Sequence, residues 1–295
     1  MPRLPGKEYR QMITGQTRNF GVIGHPIGHS LSPAMQNAGI RAAGLDCVYI
    51  AMPVKETELR QAVEGLKALG FEGFNVTIPH KQAVMAYLDE IDADARMIGA
   101  VNAVAIHDGR LIGYNTDMTG FLQGMHKHGF SPQGKNAVLL GAGGAARAII
   151  WGLVKEGVQS LTIGVRNVPK VQAVAEYFRP HMDINVLDWQ SEAFGQRLQE
   201  AQLLINSTPL GMAPHVDAMP PVDFGLVSRE TFVYDIIYTP AETMFLRRAR
   251  EHGCRTLNGE EMLVGQGAEA FRIWTGHHLP TEPMAQALRQ CLENK

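Results

Sequence analysis

Short apolar runs alternate with helical patterns along the first third of the chain. Residues 20–24 (FGVIG) predict a strand. Ser32 is then placed to cap a helix, Pro33 suits its first position and Gly44 its stop, so a helix is predicted over 33–43. Residues 47–54 (CVYIAMPV) predict a second strand, and Thr57 is a candidate cap for a helix ending near Gly70. GFNVTI, from Gly73, predicts a third strand, and Pro79 suits the opening of the next helix. AVNAVAIHDGRLIGY carries Asp108-Gly109 between two apolar runs, a hairpin signal. This alternation predicts a mostly parallel sheet covered by helices.

The pattern restarts near residue 119. NAVLL (136–140) predicts a strand, GAGGAARA (141–148) a turn and helix start, and LTIGV (161–165) the next strand. INVLDW, QLLINST and FVYDIIY continue the alternation, and the tail from about Glu260 is helical. A doubly wound nucleotide fold has this pattern. No repeat or low-complexity linker interrupts it.

Bulk properties narrow the class. The 295 residues suit two ordinary domains, and 45% hydrophobic with 19% charged content suits a soluble protein. A formal net charge of -2 gives no field that would favour nucleic acid or a membrane surface. The one basic run, RRAR at 247–250, falls in a helical pattern and reads as a solvated face. Cys47, Cys254 and Cys291 are far apart and form no C-x-x-C, which favours a reducing compartment, the cytoplasm, over a disulfide framework or thiolate metal site. His25 and His29 flank Pro26, and His277-His278 reads as a loop pair, so no metal is expected. Residues 137–154 are strongly apolar but hold Arg147 and several glycines, so they read as strand, turn and helix rather than a membrane span. The first twenty residues have no apolar core of signal-peptide length. Asn75-Val76-Thr77 is therefore expected to be an accidental glycosylation acceptor.

The chemistry starts with the glycine-rich turn. Gly141, Gly143 and Gly144 follow a strand and open a helix, with Ala146 in the final small position, and such small residues let the backbone approach a pyrophosphate. The competing reading is a tight turn that only packs. NAD sites usually carry an acid at the end of the second strand. Here the segment is GVRNVPK, with Arg166 and Lys170 placed to meet a 2′-phosphate, unless both are solvated loop cations. A charge-assisted hydrogen bond of about 1.5–3 kcal/mol would give roughly ten- to hundredfold preference for NADP. In GFNVTIPHK, polar groups gather at a strand's C-terminal end, where open α/β sheets bind ligands. Lys81 is a candidate acid–base group and Asp117 a candidate proton relay. HPIGHSLSP adds Ser30 and Ser32. Singly, Ser32 reads equally well as a helix cap, Lys81 as a surface lysine and Asp117 as a cap before Phe121.

HPIGHSLSPAMQN, GFNVTIPHK, GAVNA, YNTD, GAGGAARA, DIIYTP and MLVGQGAEAF, in that order, closely resemble the shikimate dehydrogenase family, from about Gly21 to Gly276. The resemblance implies an α/β protein of two domains. An N-terminal substrate domain (1–118) is rejoined by C-terminal helices (260–295), and a Rossmann-type domain spans 119–259. It implies NADP-dependent, or NAD-dependent, interconversion of 3-dehydroshikimate and shikimate, with a monomer or homodimer and small-molecule partners only. By matched position, Lys81 and Asp117 resemble the catalytic pair. Ser30, Ser32, Thr77, Asn102, Tyr238 and Gln266 resemble the substrate's partners, and Asn75 shapes the same strand end. Gly141, Ala142, Gly143, Gly144 and Ala145 resemble the pyrophosphate turn, and Arg166, Asn167 and Lys170 the 2′-phosphate clamp. Gln36 resembles instead the quinate/shikimate branch, a rival reading. In the clamp, Val165 and Asn167 depart from the usual asparagine and threonine, and Glu261 stands where the family generally has glycine. A rival of another class is a catalytically idle metabolite sensor, against which Lys81 and Asp117 both being present speaks.

Overall fold

A computed structural model describes residues 12–293. Residues 1–11, which carry much of the stretch read as lacking a signal peptide, lie outside the described residues, as do 294–295. The first elements are β1 (Arg18–Gly24), α1 (Ser32–Ala42), β2 (Cys47–Pro53), α2 (Leu59–Ala68), β3 (Gly73–Val76), β4 (Glu90–Ile91), α3 (Ala93–Ile98), β5 (Ala103–His107), β6 (Arg110–Tyr114) and α4 (Asp117–Lys127). Then come β7 (Asn136–Leu140), α5 (Ala146–Lys155), β8 (Ser160–Val165), α6 (Val168–Phe178), β9 (Asp183–Asp188), α7 (Glu192–Glu200) and β10 (Leu203–Asn206). The chain closes with β11 (Phe232–Asp235), α8 (Met244–His252), β12 (Arg255–Leu257), α9 (Glu260–Thr275) and α10 (Thr281–Glu293). Two compact units result. One comprises the chain up to Asp92, Ala100–Tyr114 and the chain from Ala270, the other Ala93–Gly99 and Asn115–Glu269.

The first unit is built on a mixed sheet of order β2-β1-β3-β5-β6-β4. β1 runs parallel to β2 and β3, while β5 is antiparallel to β3 and β6. The hairpin signal is realised: His107 pairs with Arg110 across Asp108 (φ 49°) and Gly109 (φ 70°), the two-residue left-handed turn that matches strand twist. The core is aromatic. Phe20 and Trp274 stack with centroids 5.3 Å apart, and Gly73 lies so close under the Trp274 indole that a Cβ there would overlap the ring. α10 returns to pack on α1, where a Cβ at Gly39 would lie 2.8 Å from Met284 Cγ.

Three local expectations fail here, each for a geometric reason. Ser32 does not cap α1; it is the first helical residue, and its amide donates to Ser30 Oγ at 3.3 Å. Thr57 sits inside a 3-10 turn, Glu56–Glu58, that precedes α2, and no side chain caps that helix. After Pro79 the chain makes turns and a 3-10 segment, Ala83–Tyr87, in place of an α-helix. Gly44 (φ 67°) and Gly70 (φ 73°) do end α1 and α2 as expected.

The second unit has six parallel strands in the order β12-β11-β10-β7-β8-β9. The chain winds outward from β7 through β8 to β9, then returns to β10 and winds the other way, with the switch between β7 and β10. NAVLL reads as a continuous apolar run because both faces are covered. Leu139 packs with Ile149 and Phe121, while Val138 and Leu140 pack with Phe194 and Phe245. α3 is held within this unit by Asp94, which accepts from Trp151 Nε1 (2.9 Å) and pairs with Lys155 (2.7 Å). Arg247 and Arg250 point outward to Glu242, so the basic run is a solvated helix face. Among the described residues, no helix is long and apolar enough to cross a membrane.

Candidate functional site

The polar residues of the first unit converge on one edge of its sheet. β1, β2 and β3 end together there, as the pairs Gly24–Pro53 and Ile23–Val76 show. Because β5 is antiparallel to β3, it begins at the same edge: Asn75 pairs with Ala103, and Ala103 with Tyr114. Thr77 therefore follows β3 beside Asn102, which precedes β5. The Thr77 amide donates to the Ile23 carbonyl at 3.0 Å, and the Thr77 methyl lies over Gly24, at the root of the loop bearing Ser30 and Ser32. Half-buried Lys81 accepts the Val101 amide on its carbonyl at 2.8 Å, one residue before Asn102. This edge thus brings together Thr77, Lys81 and Asn102, and the loop that bears Ser30 and leads to Ser32 is rooted beside Thr77 at Gly24.

Two residues hold that edge in shape. Asn75 is buried; its amide donates to the Asn102 carbonyl (2.9 Å), and its oxygen accepts the Tyr49 hydroxyl (2.7 Å). Burial pushes the Tyr49 phenol well above its usual range, so it remains a donor. Buried His80 contacts the Val54 carbonyl through Nε2 at 2.7 Å and donates its amide to the Thr77 carbonyl, fixing the turn that presents Lys81. The sequence reading gave His80 no role; its place between Pro79 and Lys81 was the only available signal.

In the second unit, buried Asp117 is the first residue of α4, and its amide donates to Asn115 Oδ1 at 3.1 Å. It is not a helix cap; Thr116 holds that position. α4 and α9 cross at small residues. A Cβ on Gly120 would lie 2.7 Å from the Gln266 amide nitrogen, and one on Gly124 would lie 3.3 Å from Glu261 Cβ. The helices are therefore antiparallel, with Gln266 at the Asp117 end. At the other end Lys127 pairs with Glu261 at 2.8 and 2.9 Å, and His128 stands 3.7 Å from the same carboxylate. Tyr238, half-buried three residues past β11, has its phenol pushed up by burial.

The glycine turn fits a dinucleotide's pyrophosphate by shape. Gly141 has φ 89°, and a Cβ there would meet Thr208 Cγ2 at 2.7 Å. By contrast Gly143 and Gly144 are exposed, and a Cβ on Gly144 would meet nothing within 4 Å. The open side is the backbone leading into α5, where an anion is favoured. Ala142 packs on the core and Ala145 is the helix cap position. Beyond β8, exposed Arg166 and Lys170 make no ion pair with a described residue. Asn167 caps α6, accepting the Lys170 amide at 3.2 Å, so its oxygen has a structural task.

A buried network between the ends of β10 and β11 went unread in the sequence. Asp235 is fully buried and accepts from Asn206 Nδ2 (3.0 Å), the Ile237 amide (3.1 Å) and Thr243 Oγ1 (2.7 Å). Asn206 in turn accepts from the Thr208 amide (3.0 Å) and hydroxyl (2.7 Å). Acid, amide and hydroxyl are scattered over 206–243, so only the parallel pairing of Asn206 with Asp235 reveals the set. Among the described residues no group of three or more His, Cys, Asp or Glu is placed to hold a metal ion.

One unit with a polar strand-end edge and another with a doubly wound sheet and glycine turn define a two-unit α/β protein of the dinucleotide-binding class. Three family models match in succession: the shikimate dehydrogenase substrate binding domain over residues 22–104, shikimate / quinate 5-dehydrogenase over 125–213, and the shikimate 5′-dehydrogenase C-terminal domain over 259–289. A shikimate dehydrogenase (NADP+) of Symbiobacterium thermophilum is 45% identical over 289 residues, covering 97% of this chain and 98% of that one. A crystal structure of a shikimate dehydrogenase in complex with NADP+ matches with a TM-score of 0.88 at 40% identity, covering 95% and 98% of the two chains. A ligand-free 5-ketofructose reductase of a Gluconobacter species matches equally, with a TM-score of 0.88 at 40% identity over 94% and 100%. The chain belongs to the shikimate dehydrogenase family.

Proposed function

We propose that the protein is an NADP-dependent shikimate dehydrogenase, an oxidoreductase that interconverts 3-dehydroshikimate and shikimate on the route to chorismate and the aromatic amino acids. The observation that carries this reading is the convergence of Thr77, Lys81 and Asn102 on one strand-end edge, in a chain 45% identical to a shikimate dehydrogenase (NADP+) along its length. Bound NADPH supplies a hydride to the substrate's carbonyl carbon. Lys81 donates the proton that the carbonyl oxygen takes up, and Asp117 holds the lysine and relays a proton from water back to it. Ser30, Ser32, Thr77, Asn102, Tyr238 and Gln266 bind the substrate's hydroxyls and carboxylate. A hydroxyl-rich acid needs many such partners, and a site built of them rejects analogues that leave them unpaired.

Gly141, Ala142, Gly143, Gly144 and Ala145 hold the pyrophosphate; Arg166 and Lys170, with Asn167, hold the 2′-phosphate. The absence of an acid after Val165 and the two unengaged cations support NADP over NAD. Residues 1–118 with 260–295 form the substrate part and 119–259 the cofactor part. We assign the protein to the cytoplasm as a monomer or homodimer. Its three thiols, two of them buried, suit a reducing compartment.

Quinate is the second substrate to test, because of Gln36, which lies buried in α1. Initial rates with shikimate, quinate and 5-ketofructose, each paired with the NADP or NAD couple, decide the matter. Shikimate with NADP should dominate. Dominant quinate or ketose turnover would overturn the substrate assignment, and binding without turnover would make the protein a sensor.

A further inference from the structure

Asp235 is a fully buried carboxylate that no cation among the described residues faces. The groups turned toward it are the Asn206 amide from β10, the Ile237 amide just past β11 and the Thr243 hydroxyl at the start of α8, and none is titratable. Such a charge persists in a core only because donors surround it. Its three donors belong to three segments that have reason to keep a fixed spacing. Ile237 adjoins Tyr238. Asn206 accepts both hydrogen bonds of Thr208, whose methyl occupies the place a Gly141 side chain would take. Thr243 caps α8, accepting the Leu246 amide at 3.3 Å.

We propose that Asp235 is a positioning residue for the reaction, tying the loop that carries Tyr238 to the loop that presses on the glycine turn. It touches neither substrate nor dinucleotide. This role presupposes the reading above, in which Tyr238 meets the substrate and the Gly141 turn the dinucleotide. Two fixed N–H donors, from Asn206 and Ile237, meet one carboxylate oxygen, and the Thr243 hydroxyl meets the other. An asparagine would turn an N–H toward one of them, and a protonated carboxyl would do the same with an O–H. Burial pushes the Asp235 carboxyl up to about 6, so above that pH the ionised group accepts all three bonds, and below it the fold accommodates a carboxyl that carries a proton and no longer accepts on both oxygens. In a low-dielectric core a partly satisfied network is worse than none, so the effect of losing one acceptor spreads to all three segments.

The test compares wild type with Asp235→Asn, Thr243→Val and Thr243→Ser. Steady-state constants for shikimate are measured between about pH 5 and 9, with calorimetric Kd values for shikimate and for NADP taken separately. Asp235→Asn should raise both KM and Kd for shikimate about tenfold or more, the worth of one charge-assisted hydrogen bond, and weaken NADP in parallel, with kcat less affected. Thr243→Val should do the same, and Thr243→Ser, which keeps the hydroxyl, should restore wild-type values. Wild-type shikimate affinity should fall below about pH 6, and that limb should vanish in Asp235→Asn. Variants that bind like wild type, a loss that follows only the fraction unfolded, or a surviving acid limb each overturn the role. An active wild type with unaltered variants overturns this role alone, whereas a wild type that binds neither shikimate nor NADP overturns the functional reading as well.

Discussion

Asn75 donates its side-chain amide to the carbonyl of Asn102 at 2.9 Å, closing the gap between the end of β3 and the start of β5. The residue that sequence pattern alone marks as a glycosylation acceptor is thus a buried brace. Its oxygen is occupied by the Tyr49 hydroxyl, and its amide fixes the residue beside Lys81's backbone partner. Asn75→Ala leaves the Tyr49 hydroxyl and the brace unsatisfied. It should lower stability by about 1–3 kcal/mol in urea denaturation, with a loss of kcat/KM for shikimate. An unchanged midpoint would show that Tyr49 finds another partner.

Lys81→Ala should reduce kcat by about 10²–10⁴, the usual worth of general acid–base catalysis, while NADP affinity stays unchanged. Lys81→Arg should fall as far, because a guanidinium keeps its proton. Steady-state rates together with an NADPH fluorescence titration check both. Near-full turnover by the arginine variant would mean that the charge matters and the proton does not.

Arg166→Ala should weaken NADP by roughly ten- to hundredfold and leave NAD almost untouched, since only NADP carries the 2′-phosphate. Dissociation constants for both dinucleotides decide it. Equal losses would assign Arg166 to packing.

The two kinds of glycine in the turn should separate by experiment. Gly141→Ala meets Thr208 and sits at φ 89°, so it should lower the melting temperature as well as NADP affinity. Gly144→Ala meets nothing within 4 Å, so it should leave melting unchanged and weaken NADP alone. A Gly144→Ala protein with wild-type NADP affinity would remove that position from the cradle.

Asp235 also sets a pH dependence of stability. Its carboxyl is raised by burial from 3.8 to about 6, so between those values the folded state holds more protons than the unfolded state. Its contribution to stability therefore declines as pH rises through that interval and is level above it. Unfolding free energies of wild type relative to Asp235→Asn should fall by about 3 kcal/mol from pH ~4 to ~6. A flat difference would show an ordinary carboxyl.

Sequence determined what depends on neighbours along the chain. The Asp108-Gly109 hairpin, the helix stops at Gly44 and Gly70 and the glycine turn after NAVLL were legible because positive φ and two-sided burial leave local marks. Motif order carried the family. Local marks misled at Ser32, Thr57 and Pro79, where good cap and opener chemistry met backbone paths set by packing elsewhere. Tertiary structure alone decided the rest. It put Asn102 beside Thr77 through an antiparallel strand, set Gln266 beside Gly120 through a crossing of small residues, and gathered Asn206, Asp235 and Thr243 into one network. Partners distant in the chain leave no periodicity in it, because their meeting is fixed by strand register and helix crossing rather than by propensity.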